Sequence, residues 1–229
     1  MEEHILLFRR DLADPDDYDD GYLSLPILAE DYRILSFLVR PEAWAEVPST
    51  DARIRVFRVW GALPTGERVL CTLSYDDSDY TQMLRVRSMI DGFRGEYRFL
   101  SNFWPAVVEF EGREYPTVEH AYQAAKATDE AVRAEIASLE TPGAAKRAGS
   151  ALRLGPEWTI ERRLWVMREL LNEKFDIESL RQLLLGTGDA ELIEVNDWGD
   201  RFWGVCDYTG ENRLGEMLME VRTEISPPP

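Results

Sequence analysis

Pro116-Thr117 separates two kinds of backbone within a few residues. The proline biases Tyr115 toward an extended conformation and stops whatever precedes it. Thr117 then offers an N-cap hydroxyl to a helix opening at Val118. Glu119 falls in the first turn, where the helix dipole favours a carboxylate. Gln123 follows one turn on and Lys126 about two turns on, and such positions share one helix face. The spacing predicts a helix presenting an acid, an amide and an amine, with Val118, Ala121, Tyr122 and Ala125 as its apolar and small contacts. A surface helix can carry the same charges, so this pattern points to chemistry only with further signals beside it.

Residues 1–88 read as a separate unit. Ile5–Phe8 and Tyr32–Val39 are strand-like, the second ended by Arg40-Pro41, and the acidic run Asp11–Asp20 reads as a solvated loop. Ile54–Trp60 and Arg68–Tyr75 are the clearest strands, and Pro64-Thr65-Gly66 between them predicts a β-hairpin. The cluster Asp76–Asp79 lacks the EF-hand pattern and reads as a polar turn. Ile90–Gly95 is read as a tight junction rather than a linker.

The remainder, residues 89–229, is predicted to be mainly helical, giving an α+β protein with a small β-containing N-terminal unit. Val107–Phe110 and Glu114-Tyr115 flank Glu111-Gly112 as a small hairpin. Helices are expected at Thr128–Leu139, Ala144–Leu152, Ile160–Lys174, Ile177–Leu185 and Leu214–Glu224, from apolar spacing and Pro/Gly punctuation. Leu192–Val195 reads as a strand leading into Asn196–Gly204, a loop dense in polar and aromatic groups. The terminal Pro227–Pro229 is expected to fray.

Charge narrows the function classes. There are 43 acidic against 26 basic residues, a net charge of −17. That balance argues against broad, sequence-independent DNA binding, which neutralises phosphates with basic groups. It leaves room for one modified nucleotide held at a local basic cleft. Only Lys126, Lys146 and Lys174 are lysines in this arginine-rich background. An amine can lose its proton and act as a nucleophile where guanidinium does not, although surface drift explains a lone lysine equally well. Cys71 and Cys206 read as free thiols of a reducing cytoplasm. Two histidines, His4 and His120, give no metal-ligand spacing, so neither a metal nor a cofactor is expected. No apolar run has the length of a membrane span, and Met1-Glu2-Glu3-His4 is not the basic start of a signal peptide, so a cytoplasmic location is expected.

The segments Phe99–Phe103, Pro116–Gln123, Lys126, Gly186–Leu192, Phe202–Gly204 and Asn212–Gly215 together resemble the NADAR family, the NAD- and ADP-ribose-associated domains. The resemblance covers roughly residues 90–225. It implies cleavage of an N-glycosidic bond at the anomeric carbon of a ribose. One implied reaction removes ADP-ribose from guanine in nucleic acid, with a cognate ADP-ribosyltransferase toxin as partner; this is the leading expectation. Another hydrolyses ribosylaminopyrimidine phosphates of riboflavin synthesis, and a non-catalytic ADP-ribose or NAD sensor, or an antitoxin, is the remaining alternative.

Within that frame the residues divide by chemistry. Breaking the bond develops oxocarbenium character, which a carboxylate stabilises directly or by activating water, and Glu119 is first in line. Lys126 either attacks the anomeric carbon, giving a ring-opened Schiff base, or pairs with Glu119 or a phosphate. Asp197, or Asp200 beside it, protonates or orients the leaving base. His120 lies about 100° around the helix from Glu119 and reads as a buried, hydrogen-bonded side chain. Trp104, Trp198 and Trp203 are stacking candidates, with Gly204 part of the Trp-Gly pair. Asn212 and Gly215 flank a helix start whose N–H groups suit a phosphate, assisted by Arg147. The resemblance adds Asn102, Phe103 and Gln123 as substrate contacts. Ser150 stands where family members often carry an arginine, which leaves the substrate class open.

Overall fold

The computed structural model describes residues 4–7, 18–19, 22–28, 34–47, 54–62, 68–76 and 82–227, with side chains from residue 88 onward and at Leu70. The acidic loop before Tyr18, the Pro64–Gly66 turn, Asp77–Asp79 and Pro228-Pro229 lie outside the described residues, as do the side chains of His4 and Cys71. The fold is α+β. The chain divides into two compact units, Met1–Gly92 with Asp189–Gly215, and Phe93–Gly188 with Glu216–Pro229.

The first unit is a β-structure. Its strands are β1 His4–Leu7, β2 Tyr18–Asp19, β3 Tyr22–Leu28, β4 Ile34–Val47, β5 Ile54–Ala62, β6 Arg68–Asp76 and β7 Gln82–Asp91. Consecutive strands from β3 to β7 pair antiparallel, and β1 pairs with both β3 and β7, so the ladder closes on itself. β5 and β6 form the expected antiparallel pair, in register from Ile54↔Asp76 to Ala62↔Arg68. The second strand does not stop at Arg40-Pro41: β4 continues to Val47, with its register to β5 shifting between Val39 and Trp44. Proline has no N–H to give the ladder, so Pro41 falls at an irregularity instead of ending the strand. β7 runs through Ile90 and Asp91 before the chain turns at Gly92, whose φ is +76°, and the boundary between the two units, Gly92 to Phe93, falls within Ile90–Gly95.

Residues 189–215 join these strands through β7. Strand β10, Glu191–Ile193, lies parallel to it with Leu192 opposite Ile90. Leu70, Met89, Ile193 and Val205 form one buried cluster with Val195 and Tyr208 against it. Cys206 is a buried free thiol.

The second unit opens with a 3-10 helix, Gly95–Leu100, and the predicted hairpin of β8 Val108–Phe110 and β9 Arg113–Tyr115. Its turn residues Glu111 and Gly112 have φ of 50° and 80°, the left-handed pair a two-residue hairpin favours. The Glu111 carboxylate accepts from Arg133 Nη1 at 2.5 Å and Arg162 Nη2 at 2.6 Å. Burial pushes its pKa up, but these two bonds outweigh burial and the net direction is down.

Five helices follow: α1 Val118–Ala124, α2 Glu130–Ala137, α3 Pro142–Ser150, α4 Ile160–Asp176 and α5 Glu178–Leu185. Thr117, Asp129, Thr141 and Thr159 each cap a helix through the side chain, worth about 1 kcal/mol apiece. Val166, Met167, Leu170, Leu171 and Phe175 form the buried face of α4. Each fully buried leucine contributes roughly 1.5–3 kcal/mol of apolar transfer. Ile160, which the periodicity placed on that face, is exposed because it opens the helix. Helix α6, Arg213–Ile225, ends the fold with Leu214, Leu218 and Val221 buried. Among the described residues, no helix is long and apolar enough to cross a membrane.

Candidate active site

Every residue of α1 is buried, so its polar side chains must find partners inside the protein. Thr117 Oγ1 accepts from His120 N at 3.3 Å, which is the N-cap expected from the sequence. The same hydroxyl lies 2.8 Å from His120 Nδ1, while His120 Nε2 lies 3.1 Å from the Leu139 carbonyl. A carbonyl only accepts, so Nε2 carries the proton and Nδ1 accepts from Thr117. Burial holds His120 below its ordinary pKa, partly offset by the bond to Leu139. The imidazole is thus a neutral brace beneath the helix start.

On the face that carries Glu119, Gln123 and Lys126 the side chains bond to one another. Gln123 Nε2 donates to Glu119 Oε1 at 2.7 Å, and Lys126 Nζ donates to Gln123 Oε1 at 2.5 Å. One amide therefore links the acid to the amine. The α-helix itself ends at Ala124, earlier than the spacing predicted, and a tighter turn follows in which Lys126 N–H donates to Gln123 O at 3.3 Å. That turn keeps Lys126 within reach of Gln123 although it is outside the helix.

Packing fixes the amide in place. Helix α3 brings Gly149 so close that a Cβ there would stand 2.0 Å from Gln123 Oε1 and 2.7 Å from its Cβ. Any side chain at 149 displaces Gln123.

Burial shifts Lys126 toward its neutral form. Burial lowers its pKa; attraction to Glu119 opposes this, and repulsion from Arg163 and Lys146 adds to it, with a net shift downward. The Tyr122 ring centroid is 5.5 Å from Nζ, and Trp158 meets that ring edge-on at 5.5 Å. Arg163 Nε reaches the Tyr122 hydroxyl at 3.5 Å, and Lys146 Nζ lies 5.8 Å from the Phe103 centroid. Sequence reasoning did not single out Tyr122, Arg163 or Trp158 for this site, and Lys146 drew notice only as one of three lysines. A run of arginines along α4 was visible, but nothing local shows which one faces α1.

Asn102, Phe103 and Trp104 belong to a tight turn. Trp104 N–H donates to Ser101 O at 3.1 Å, and Phe103 N–H to Ser101 Oγ at 3.2 Å. Asn102 O accepts the Glu119 N–H at 3.0 Å, tying the turn to the start of α1. The Asn102 amide donates to Met167 Sδ at 3.6 Å, and its Oδ1 has no protein partner. Arg147 is exposed on α3, and Ser150 Oγ bonds back to Lys146 O at 2.7 Å.

The late loop belongs to the other unit, where its polar groups serve the backbone. Asn196 Nδ2 donates to Asp200 O at 2.7 Å and to Val205 O at 3.2 Å. Asp200 Oδ1 accepts from Phe202 N and Trp203 N at 3.1 and 2.9 Å. Trp203 meets Phe202 edge-on at 4.9 Å, and Gly204 allows close passage, because a Cβ would stand 2.2 Å from Glu194 O. Asp197 and Trp198 are exposed.

Asn212 secures β10 by accepting from Glu194 N at 3.0 Å and donating to Leu192 O at 2.9 Å. Gly215 abuts the Leu192 carbonyl. The N–H groups of Asn212, Arg213 and Leu214, expected to face a phosphate, donate to the carbonyls of Gly204, Phe202 and Trp203. Their capacity is committed to the loop. Among the described residues, no group of three or more His, Cys, Asp or Glu side chains converges in a metal-binding arrangement.

A model of the NADAR domain matches residues 92–226. N-glycosidase YbiA of Escherichia coli K12 is 39% identical over 139 residues, covering 57% of this chain and 83% of that protein. N-glycosidase Npun_R5314 of Nostoc punctiforme is 38% identical over 136 residues, covering 56% of this chain and 86% of its own. Riboflavin biosynthesis protein VVA0006 of Vibrio vulnificus is 37% identical across 56% of this chain but 35% of its own length. The NMR structure of E. coli YbiA matches with a TM-score of 0.54 at 36% identity, covering 59% of this chain and 83% of that one. The chain belongs to the NADAR family.

Proposed function

We propose that this NADAR-family N-glycosidase hydrolyses the bond between the anomeric carbon of a phosphorylated ribose and the nitrogen of a leaving base. The observation that carries the reading is the linked set Glu119, Gln123 and Lys126, with an amine held below its ordinary pKa. In the proposed sequence the neutral Lys126 amine attacks C1 as the glycosidic C–N bond breaks, and a proton from the newly bonded nitrogen passes to the leaving base. The C1–O bond of the ring then opens, its oxygen taking a proton from water, to give an iminium on Lys126. Water adds to C1, the C1–Nζ bond breaks, and the sugar and the free amine are released. The Glu119 carboxylate stabilises positive charge as it develops at C1. Lys146 and Arg163 supply positive charge suited to the phosphate.

Ribosylaminopyrimidine phosphates come first among the substrates, supported by one set of relatives named N-glycosidase and another named riboflavin biosynthesis protein. This reverses the order expected from the sequence. ADP-ribose on guanine is the second reading, with a transferase toxin as its cognate partner. It is favoured by the two cations beside Lys126, Lys146 and Arg163, which together suit a diphosphate.

The test offers both substrates to the purified protein in parallel and identifies products by mass spectrometry. Ribose 5-phosphate from the first supports metabolite clearance; ADP-ribose with intact guanine from the second supports reversal of the modification. Glu119→Gln is expected to lower turnover by at least about a hundredfold, the usual order for loss of one transition-state electrostatic partner. Turnover retained in that variant removes Glu119 from the role, and silence of the wild type on both substrates removes the reading.

A further inference from the structure

Of the three lysines, Lys126 and Lys146 lie at the site, which leaves Lys174 unexplained. It is fully buried on α4, with 0% of its surface exposed. Burying an ammonium carries a desolvation penalty that an apolar side chain of similar volume would avoid. Its Nζ donates to the Ser101 carbonyl at 2.8 Å and lies 5.2 Å from the Phe175 ring centroid.

Ser101 is a consequential place to put that charge. Its carbonyl also accepts the Trp104 N–H and closes the tight turn whose corners are Asn102 and Phe103. The next carbonyl, Asn102 O, holds the Glu119 N–H at 3.0 Å. A backbone carbonyl has two acceptor sites. Here one closes the turn and the other fastens it to the core of α4. A compact ammonium on a flexible stem reaches such a carbonyl, whereas a planar guanidinium needs a wider slot. This gives a physical reason for lysine at 174 in a chain that otherwise uses arginine.

We infer that Lys174 is a positioning residue for the glycosidase site. It pins the Ser101–Trp104 turn from beneath, and the turn in turn sets the start of α1 and with it the Glu119 carboxylate. The inference rests on the N-glycosidase reading for its kinetic consequence, but its structural consequence is independent of that reading.

The test is Lys174→Met, which keeps the length and volume and removes the donor. Two readouts are taken: steady-state kinetics on whichever substrate the wild type turns over, and residue-resolved amide hydrogen exchange. The expected result is kcat at least tenfold lower with KM within about twofold. The amides of Phe103, Trp104 and Glu119 should exchange at least tenfold faster, while those of Val166–Leu171 keep their rates. Uniformly faster exchange, or unchanged exchange with unchanged kcat, overturns the inference. If the wild type turns over neither substrate, the glycosidase reading fails and the exchange pattern alone decides on the positioning role. Should Lys174→Met not fold, Lys174→Gln retains a neutral donor, and the same readouts should show a smaller kcat loss and a smaller selective acceleration. Wild-type values in that variant also overturn it.

Discussion

Two polar clusters, each mixing an acid with amide side chains, behave differently. Along α1, Glu119, Gln123 and Lys126 bond to each other through their side-chain ends. In the late loop and just before α6, Asn196, Asp200 and Asn212 bond almost wholly to backbone N–H and carbonyl groups. A side chain spent on the backbone fixes a shape and has little capacity left for a ligand. Side chains that hold one another keep ionisable ends together, which acid–base and nucleophilic chemistry require. Residue type alone does not separate the two; the bonding partner does.

The contrast can be broken most sharply at Lys126. Lys126→Met is expected to lower kcat/KM by about a thousandfold or more, the scale of losing a nucleophile, with little change in thermal midpoint. Borohydride added during turnover should fix a sugar adduct on the wild type and none on the variant. A fully active Lys126→Met enzyme, or a wild type without adduct, would return Lys126 to a pairing role.

The opposite outcome is expected at Asn212. Asn212→Ala removes the Asn212 bond to the half-buried Glu194 N–H and to the buried Leu192 carbonyl, at a cost of about 1–3 kcal/mol for each group left unsatisfied. Denaturant unfolding should show that loss, while kcat per folded molecule stays near wild type. A stable but inactive Asn212→Ala would mean the late loop contributes chemistry after all.

The smallest effect concerns pH. His120 has a folded pKa below its ordinary value of 6.5, so the unfolded chain binds more protons between the two values. Its contribution to stability is present in full above pH 6.5 and is lost as pH falls through the folded pKa. Urea titrations at descending pH should show this decline, and His120→Gln should flatten it. An identical slope in the variant would assign the decline to other groups, of which Glu111 is expected to act at lower pH.

Much of the helical framework was legible because its signals are local. Pro116-Thr117 announced α1, Glu111-Gly112 announced the hairpin, and the apolar spacing of α4 matched its buried face apart from exposed Ile160 and half-buried Leu164. The acid–amide–amine set was legible too, since one helix carries two of its members and the next turn the third. Groups brought in by tertiary packing were not. Arg163 and Trp158 lie more than thirty residues beyond Lys126 in the sequence, and a lone lysine such as Lys174 carries no mark of being buried. The backbone duties of Asn212 were equally hidden, because the carbonyl it serves, Leu192 O, is twenty residues earlier. Pro41 misled by suggesting a stop where the ladder absorbs it.

The closed ladder also has a consequence for how the chain is made. The first strand, His4–Leu7, finds its longest partner in Gln82–Asp91, so it emerges from the ribosome well before its neighbour exists. At roughly 5–20 residues per second the wait is on the order of several seconds. During it, the open edges of the early strands present unpaired N–H and C=O groups that other nascent chains can pair with. A chain interrupted before Gln82 keeps those edges permanently, so premature termination in this stretch should yield aggregates rather than a smaller folded product.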